Sequence, residues 1–355
     1  MRIGILTFHC AHNYGAVLQC YALQEFLKHR GHDVCVIDYR PKAITSVYKL
    51  LTRKRIIRKN VFRVVKDLSL LFWRTKRYDK FENFINNKLQ LAPVNTVLKN
   101  SYDIIIIGSD QVWNYNITNG FDKYYWGNFP HPENTRIVSY AASMQDNWPD
   151  ELSPTIKKNL ENFDYISVRE SSLVRSLSKL TEGRRIYQVV DPTLLIDKEK
   201  WKSIAKKPKI SRPYLLLFQV EGRNKKTEKI ADELSKKNNL PIIRLTTSVD
   251  WHTSSKVRNT SPAEFVGLFM HASFVVCSSF HGTVFSLIFN RPFVSVRMGV
   301  GKDNRVGNLL QTFGLEHHFV DSIDMYADYQ YNLDCNRFDT ITAISKAYIK
   351  MLENE

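Results

Sequence analysis

Apolar residues along this chain come in short runs separated by helical patterns. Ile3 to Phe8 is an apolar run of the kind that forms a parallel strand buried on both faces. From Ala16 to Arg30 the apolar positions Val17, Leu18, Tyr21, Leu23, Phe26 and Leu27 recur at helical spacing, and Gly31 stands where a helix ends. Val34–Ile37 predicts the second strand. Further runs predict strands at Ile104–Ile107, Ile137–Tyr140 and Tyr165–Val168, with a helix after Ser172. A second alternation begins near residue 211. It predicts strands at Tyr214–Phe218, Ile242–Leu245, Phe274–Cys277 and Phe293–Val296. The helices between and after them are expected at Lys225–Lys236, Pro262–Met270, Val284–Phe289 and Asn308–Phe313, with a last one over Asp339–Leu352.

Two β/α alternations predict an α/β protein of two Rossmann-like parallel-sheet domains. The expected boundaries are 1–190, including a basic helical segment over 42–90, then 191–335, with a C-terminal helix over 336–355. A length of 355 residues agrees with two domains. Ligands of such sheets bind beyond the carboxyl ends of the strands, so the loops there are the first places to look for chemistry.

Three loops qualify. The first, His9 to Ala16, carries Asn13, Tyr14 and Gly15 at the start of a helix, a place that attracts anions or sugar hydroxyls. It lacks the three-glycine dinucleotide pattern, and no phosphate-binding G-x-x-x-x-G-K-[ST] loop occurs in the chain. A tight strand-to-helix turn explains it equally well. The second, Gly108 to Asn114, gathers Asp110, Gln111 and Trp113. Asp110 suits a base for a hydroxyl proton, and Trp113 suits an apolar platform for a sugar face. The competing reading makes Asp110 a cap and Trp113 core. The third, Ser278 to Thr283, places Ser278, Ser279, Gly282 and Thr283 around His281 at a helix start. That arrangement suits a phosphate beside a proton donor. Arg169, next to Glu170, follows a strand directly and offers a fork for an anion or an internal ion pair. Arg297, Lys302 and Arg305 form a basic group after the strand Phe293–Val296. His317-His318 reads as a surface pair.

Charge and cysteine content narrow the setting. There are 51 Lys and Arg against 35 Asp and Glu, a formal +16, which points to an anionic partner. Residues 42–80 hold 13 of the basic residues and only Asp67 and Asp79 as acids; 13 − 2 is +11 of that total. Val47, Leu50, Leu51, Ile57, Val61, Val64, Val65, Leu68, Leu71 and Phe72 fall mostly on one helical face of the same segment. A basic helix with an apolar stripe suits peripheral contact with an anionic membrane surface, as it also suits a packed helix with a solvated face. Five cysteines, with no C-x-x-C pair, argue against a disulfide framework or a cysteine zinc site. No metal-ligand cluster is read from the sequence, and no run of about 20 apolar residues occurs. A cytoplasmic protein is expected, with peripheral contact at the inner face of the membrane. Nucleic acid is not expected as a partner, because recognised modules are missing.

The residues resemble the polysaccharide pyruvyl transferase family. The resemblance rests on Asn13-Tyr14-Gly15-Ala16, Ile107 to Asn114, Ser167-Val168-Arg169-Glu170, Asp191-Pro192-Thr193 and Ser278 to Thr283, in that order, over about residues 1–315. It implies two Rossmann-like domains facing across a cleft, as in GT-B glycosyltransferases. It also implies phosphoenolpyruvate as co-substrate, no cofactor, and a glycan acceptor, lipid-linked or a surface-polysaccharide precursor, converted into a cyclic pyruvate ketal. His281 matches the family's proposed general acid, with Asp110 on the facing loop as the base. Arg169 matches a basic residue at the donor, joined there by Ser278, Ser279, Gly282, Thr283, Arg297, Lys302 and Arg305. His9, Asn13, Tyr14, Gly15, Gln111 and Trp113 are expected on the acceptor side. Some members carry arginine where this chain has Ser279. A nucleotide-sugar glycosyltransferase on the same plan is the alternative enzyme, and a basic binding protein the alternative without catalysis.

Overall fold

The computed structural model describes residues 1–48, 61–95, 102–144, 148–220, 222–247, 249, 251–299, 301–325 and 335–354, without the side chains of 61–68, 325 and 335–337. The chain forms two compact units. One comprises Met1–Tyr48, Ile85–Ile196 and Asn336–Glu355; the other comprises Lys49–Phe84 and Asp197–Cys335.

In the first unit the strands β1 (Arg2–Leu6), β2 (Asp33–Asp38), β3 (Leu91–Pro93), β4 (Ile104–Gly108) and β5 (Arg136–Tyr140) form a sheet in the order β3-β2-β1-β4-β5. All its neighbouring pairs are parallel, with Gly4 beside Cys35 on one side and Ile105 on the other. β6 (Ile166–Val168) pairs with β7 (Ile186–Gln188), and bridges from Val138 to Tyr165 and from Ala142 to Val168 carry the sheet across to them. β4 is the run Ile-Ile-Ile-Ile-Gly, every residue buried, as a strand covered on both faces must be. The helix α1 (Tyr14–His29) returns the chain from β1 to β2.

The second unit repeats the plan. Its strands β8 (Leu215–Gln219), β9 (Ile242–Thr246), β10 (Phe274–Cys277), β11 (Phe293–Val296) and β12 (Phe319–Val320) run in the order β12-β11-β10-β8-β9, all parallel. In each sheet the strand order reverses at one place, between β1 and β4 and between β8 and β10.

Three features differ from the sequence reading. The helix α2 (Val61–Lys88) carries residues up to Phe84 into the second unit, although 42–90 was expected with the first domain. Lys80 Nζ pairs with Glu264 at 2.8 and 2.9 Å, and Arg74 Nε donates to the Val249 carbonyl at 3.3 Å. Leu70, Arg77 and Phe81 are buried, whereas Phe72, assigned to the apolar stripe, is 57% exposed with the Lys76 ammonium 4.2 Å from its ring centre. The basic cluster Arg53, Lys54, Arg55, Arg58 and Lys59 lies outside the described residues. Second, the last helix, Cys335–Asn354, is longer than expected and packs on the first unit. Tyr348 Oη donates to the Ser139 carbonyl at 3.0 Å, Ser345 Oγ accepts from Val190 N at 2.8 Å, and Glu353 pairs with Arg30 and His32. Third, His318 is core. It is 1% exposed, its ring stacks on Phe293 at 4.7 Å, and burial pushes its pKa down to about 4.

Among the described residues no helix is long and apolar enough to cross a membrane.

Candidate functional site

The candidate residues lie at the carboxyl edges of the two sheets, beside the places where strand order reverses. In the first unit the loop after β1 is closed by its own polar groups. His9 is fully buried, with Nε2 2.8 Å from Asp38 Oδ1 and Nδ1 3.3 Å from the Thr7 carbonyl. Arg40 Nε donates to the same Asp38 oxygen at 2.6 Å. The hydrogen bond with His9, joined by that with Arg40, outweighs burial and brings the Asp38 carboxyl down to about 2. Asn13 is the N-cap of α1, its Oδ1 accepting from Gly15 N at 2.9 Å. Tyr14 is 1% exposed and Gly15 is buried inside the helix. His9, Tyr14 and Gly15 were expected to meet an acceptor; burial instead makes them parts of the strand-to-helix junction.

The loop after β4 bends sharply. At Gly108 φ is +121°, and a Cβ there would lie 2.4 Å from the Tyr140 carbonyl oxygen, so only glycine passes. Asp110 adopts φ +67°; its Oδ1 accepts from Gln111 N at 2.8 Å and its carbonyl from Ser143 N at 3.0 Å. It is half-buried, as is Gln111, whose Oε1 accepts from Asn114 Nδ2 at 2.8 Å. Trp113 offers no face to a sugar. It is 0% exposed, stacks on Trp126 with centroids 4.9 Å apart, and donates Nε1–H to the Tyr125 carbonyl at 2.8 Å.

Beside this loop lies a buried ionic cluster. Arg169 Nε donates to Glu170 Oε1 at 2.9 Å and Nη1 to Asp191 Oδ2 at 2.8 Å, with the three side chains 4%, 6% and 0% exposed. Burial alone would push the Arg169 pKa down; Glu170, Asp191 and Asp110 outweigh it and hold the guanidinium charged. Ser143 Oγ donates to Glu170 Oε1 at 3.0 Å, and Ser109 Oγ to Asp191 Oδ2 at 3.4 Å. Thr193 donates to Asp191 Oδ1 from its hydroxyl at 2.7 Å and its backbone at 3.0 Å. Thr7 Oγ1 donates to the Ser109 carbonyl, and Gln19 Nε2 to Thr7 Oγ1. Arg169 was expected to bind the donor's phosphate; its Nε and Nη1 are bonded to the two carboxylates. Ser143, Thr7 and Gln19 were not singled out from sequence. The one available signal was Gln19, a polar residue within the apolar run of α1.

In the second unit Ser278–Thr283 is a capped helix start rather than an open turn. The helix α7 (Phe280–Ile288) begins four residues earlier than its apolar spacing predicts, because Ser279 is its N-cap, with Oγ accepting from Gly282 N at 3.0 Å. A Cβ on Gly282 would lie 2.8 Å from Cys277 Cβ and Ser279 Oγ and 3.0 Å from Phe218 Cδ1. Thr283 is 0% exposed, with Oγ1 2.7 Å from Ser295 Oγ and donating to the Ser279 carbonyl at 3.1 Å. Ser278 N donates to the Phe218 carbonyl of β8 at 3.2 Å, tying the loop across the reversal point. Thus Ser279, Gly282 and Thr283, expected to bind the donor, are engaged with one another and with the core. His281 sits half-buried in the first turn of α7, edge-on to Phe280 at 5.2 Å.

On the neighbouring strand, Arg297 follows β11. Its guanidinium lies 4.2 Å from the Phe319 ring centre and 3.6 Å from Asp321 Oδ2. Asp303 Oδ1 folds the next loop, accepting from Met298 N at 2.7 Å and Gly299 N at 3.2 Å. Lys302 in that loop is exposed, and Arg305 is half-buried in the helix α8 (Asn304–Phe313). Among the described residues no three or more His, Cys, Asp or Glu side chains gather as a metal site would require.

The family model described as polysaccharide pyruvyl transferase matches residues 13–298. The chain belongs to that family. Its fold is mixed α/β with parallel sheets, GT-B-like. Among solved structures it is similar to the UDP-GlcNAc 2-epimerase of Methanocaldococcus jannaschii in complex with UDP-GlcNAc and UDP, with a TM-score of 0.53, 12% identity and 100% of each chain covered. It is also similar to the UDP-GlcNAc 2-epimerase of Neisseria meningitidis bound to UDP-GlcNAc, with a TM-score of 0.49, 10% identity and 100% of each chain covered. A search of curated proteins found no match.

The His9–Asp38 contact predicts an acid-sensitive contribution to stability. The Asp38 carboxyl titrates at about 2 in the folded chain and near about 4 unfolded. Its contribution is therefore complete above about 4 and is lost as pH falls toward 2. Urea unfolding of wild type and Asp38→Asn should show a stability gap at pH 7 that closes between those values. A gap independent of pH would show that the contact does not act through the carboxylate's charge.

Proposed function

We propose that this chain transfers the enolpyruvyl group of phosphoenolpyruvate onto two hydroxyls of a sugar residue, forming a cyclic ketal and releasing phosphate. The observation that carries the reading is the family match over residues 13–298, which includes the Asp110 loop and His281. The acceptor is a glycan precursor, lipid-linked or destined for a surface polysaccharide.

His281 as imidazolium donates a proton to the methylene carbon of the donor, leaving an oxocarbenium-like centre at the adjacent carbon. A sugar hydroxyl attacks that carbon and loses its proton to Asp110 as base. Phosphate departs, and a second hydroxyl closes the ring, its proton leaving with the phosphate. One C–O bond to phosphate breaks and two C–O bonds to sugar form. The N-terminal turn of α7 contributes the positive end of a helix dipole to the donor's charge. Ser278, Arg297, Lys302 and Arg305 supply further donors from the same unit.

His281→Ala should lower kcat at least about 100-fold, the scale of lost general acid catalysis, with an unchanged unfolding midpoint. Turnover within about threefold of wild type, in the same range of effects, would remove His281 from the mechanism.

The basic segment 42–80, with Phe72 and Lys76 exposed on α2, is proposed to rest on an anionic bilayer where lipid-linked glycans reside. The chain should co-sediment with phosphatidylglycerol vesicles and not with phosphatidylcholine vesicles. Replacing Arg53, Lys54, Arg55, Arg58 and Lys59 with glutamine should abolish that. Retained binding by the neutralised variant would contradict the assignment.

A further inference from the structure

We propose that Tyr348 and Ser345, on the last helix of the chain, are positioning residues that set where Arg169 and its partner Asp191 stand. The consequence for the donor rests on the pyruvyl-transfer reading, with Arg169 at phosphoenolpyruvate; the consequence for the strands does not.

The junction between β5 and β6 is irregular just before Arg169. Bridges join Val138 to Tyr165 and Ala142 to Val168, so between them the β5 side spans one residue more than the β6 side. Ala141 takes up the difference at φ +51°, a conformation that a residue other than glycine keeps only where its surroundings dictate it. An extra residue of this kind interrupts the backbone ladder. Two buried serines fill the interruption. Ser139 Oγ donates to the Ser167 carbonyl at 2.9 Å and accepts from Ser167 N at 2.8 Å. Ser167 Oγ donates to the Ser139 carbonyl at 2.8 Å and accepts from Ala141 N at 3.3 Å. Side-chain hydroxyls therefore fix β6 where a regular sheet would use backbone groups. Arg169 follows β6 directly and inherits its position from this joint.

The last helix, Cys335–Asn354, closes over the joint. Ser345, Tyr348, Ile349 and Leu352 are buried at the spacing of one helical face. Tyr348 Oη donates at 3.0 Å to the Ser139 carbonyl, the oxygen that Ser167 Oγ also uses. Its ring lies 4.9 Å from that of Tyr187 on β7. One turn earlier, Ser345 Oγ accepts from Val190 N at 2.8 Å, while Tyr140 Oη donates to the Val190 carbonyl at 3.1 Å. Both backbone groups of Val190 are thus held, and the next residue is Asp191, whose Oδ2 accepts from Arg169 Nη1 at 2.8 Å. Two hydroxyls on one helix face reach the two chain segments that carry Arg169 and its carboxylate. That helix lies beyond residues 13–298, so the contacts are additional to the matched family region.

Tyr348→Phe and Ser345→Ala each remove one hydroxyl and keep the apolar helix face, so both variants test the joint in a folded chain. Amide hydrogen exchange over 166–170, where no amide bonds Tyr348, should accelerate about fivefold in Tyr348→Phe, the scale of one lost hydrogen bond. Exchange over 189–193 should accelerate by a similar factor in Ser345→Ala. Glu353→Gln weakens the same helix at Arg30 and His32 and should change neither segment. In calorimetric titration, phosphoenolpyruvate should bind both hydroxyl variants about fivefold more weakly than wild type. Its KM should rise by the same factor, with the KM of the galactoside that serves as acceptor unchanged. Unaltered exchange in both segments would overturn the proposal, as would equal acceleration in Glu353→Gln. Unaltered phosphoenolpyruvate affinity in both hydroxyl variants, beside a wild type that binds it, would overturn it too. Accelerated exchange in the two hydroxyl variants of a protein whose wild type neither binds phosphoenolpyruvate nor transfers its pyruvyl group would uphold the positioning and reject the pyruvyl reading.

Discussion

A parallel strand buried on both faces ends abruptly, and the polar groups at its carboxyl end must be met within a few residues. That constraint shapes both sheets of this protein. After β10 it is met by the N-cap Ser279, which starts a helix at once, and after β1 by a buried polar loop that ends in the N-cap Asn13. After β4 and β6 it is met by a charge cluster in which Arg169 lies between Glu170 and Asp191. Because buried polar groups without partners are costly, these junctions leave little freedom in where the remaining polar side chains can point. His281 stands one residue into a capped helix, and Asp110 stands in a loop fixed on both sides.

Much of this was legible in the chain. β10 and β11 have the bounds predicted, β1 ends two residues before its predicted end, and the other predicted strands differ by one residue at one or both ends, because fully buried strands are near-continuous apolar runs; the short strands β3, β7 and β12 are too brief to give such a run. The ordered motifs also carried the family, which the match over residues 13–298 shows. The roles of individual residues were harder to read. A polar residue at a helix start looks the same whether it binds a ligand or caps the helix, and Ser279 and Asn13 cap. Trp113 and His9 look available in a loop, yet each is buried by partners distant in sequence, Trp126 and Asp38. Arg169 reads as an anion fork until Asp191, 22 residues on, is found against it. Helical periodicity also misjudged Phe72, whose exposed position on α2 shows only once the buried face of Leu70, Arg77 and Phe81 is known.

The corrections sharpen the chemistry rather than remove it. With Ser279, Gly282 and Thr283 engaged inside the fold, the proposed donor groups within the second unit reduce to Ser278, His281, the α7 N-terminus and the basic residues after β11. In the first unit the loop after β4 is held at the Ser109 carbonyl by Thr7 and at the Asp110 carbonyl by Ser143. The position with Ser279, where some family members have arginine, is occupied by a helix cap.

The most direct measurement is product analysis with phosphoenolpyruvate labelled with carbon-13 at the enol carbon, incubated with the purified protein and a panel of simple and lipid-linked galactosides. The account predicts phosphate release that depends on one acceptor, matched one to one by label in a ketal carbon bearing a methyl group. Absence of phosphate release and ketal with every acceptor, together with a new glycosidic bond and a nucleoside diphosphate when nucleotide sugars are supplied, would contradict it.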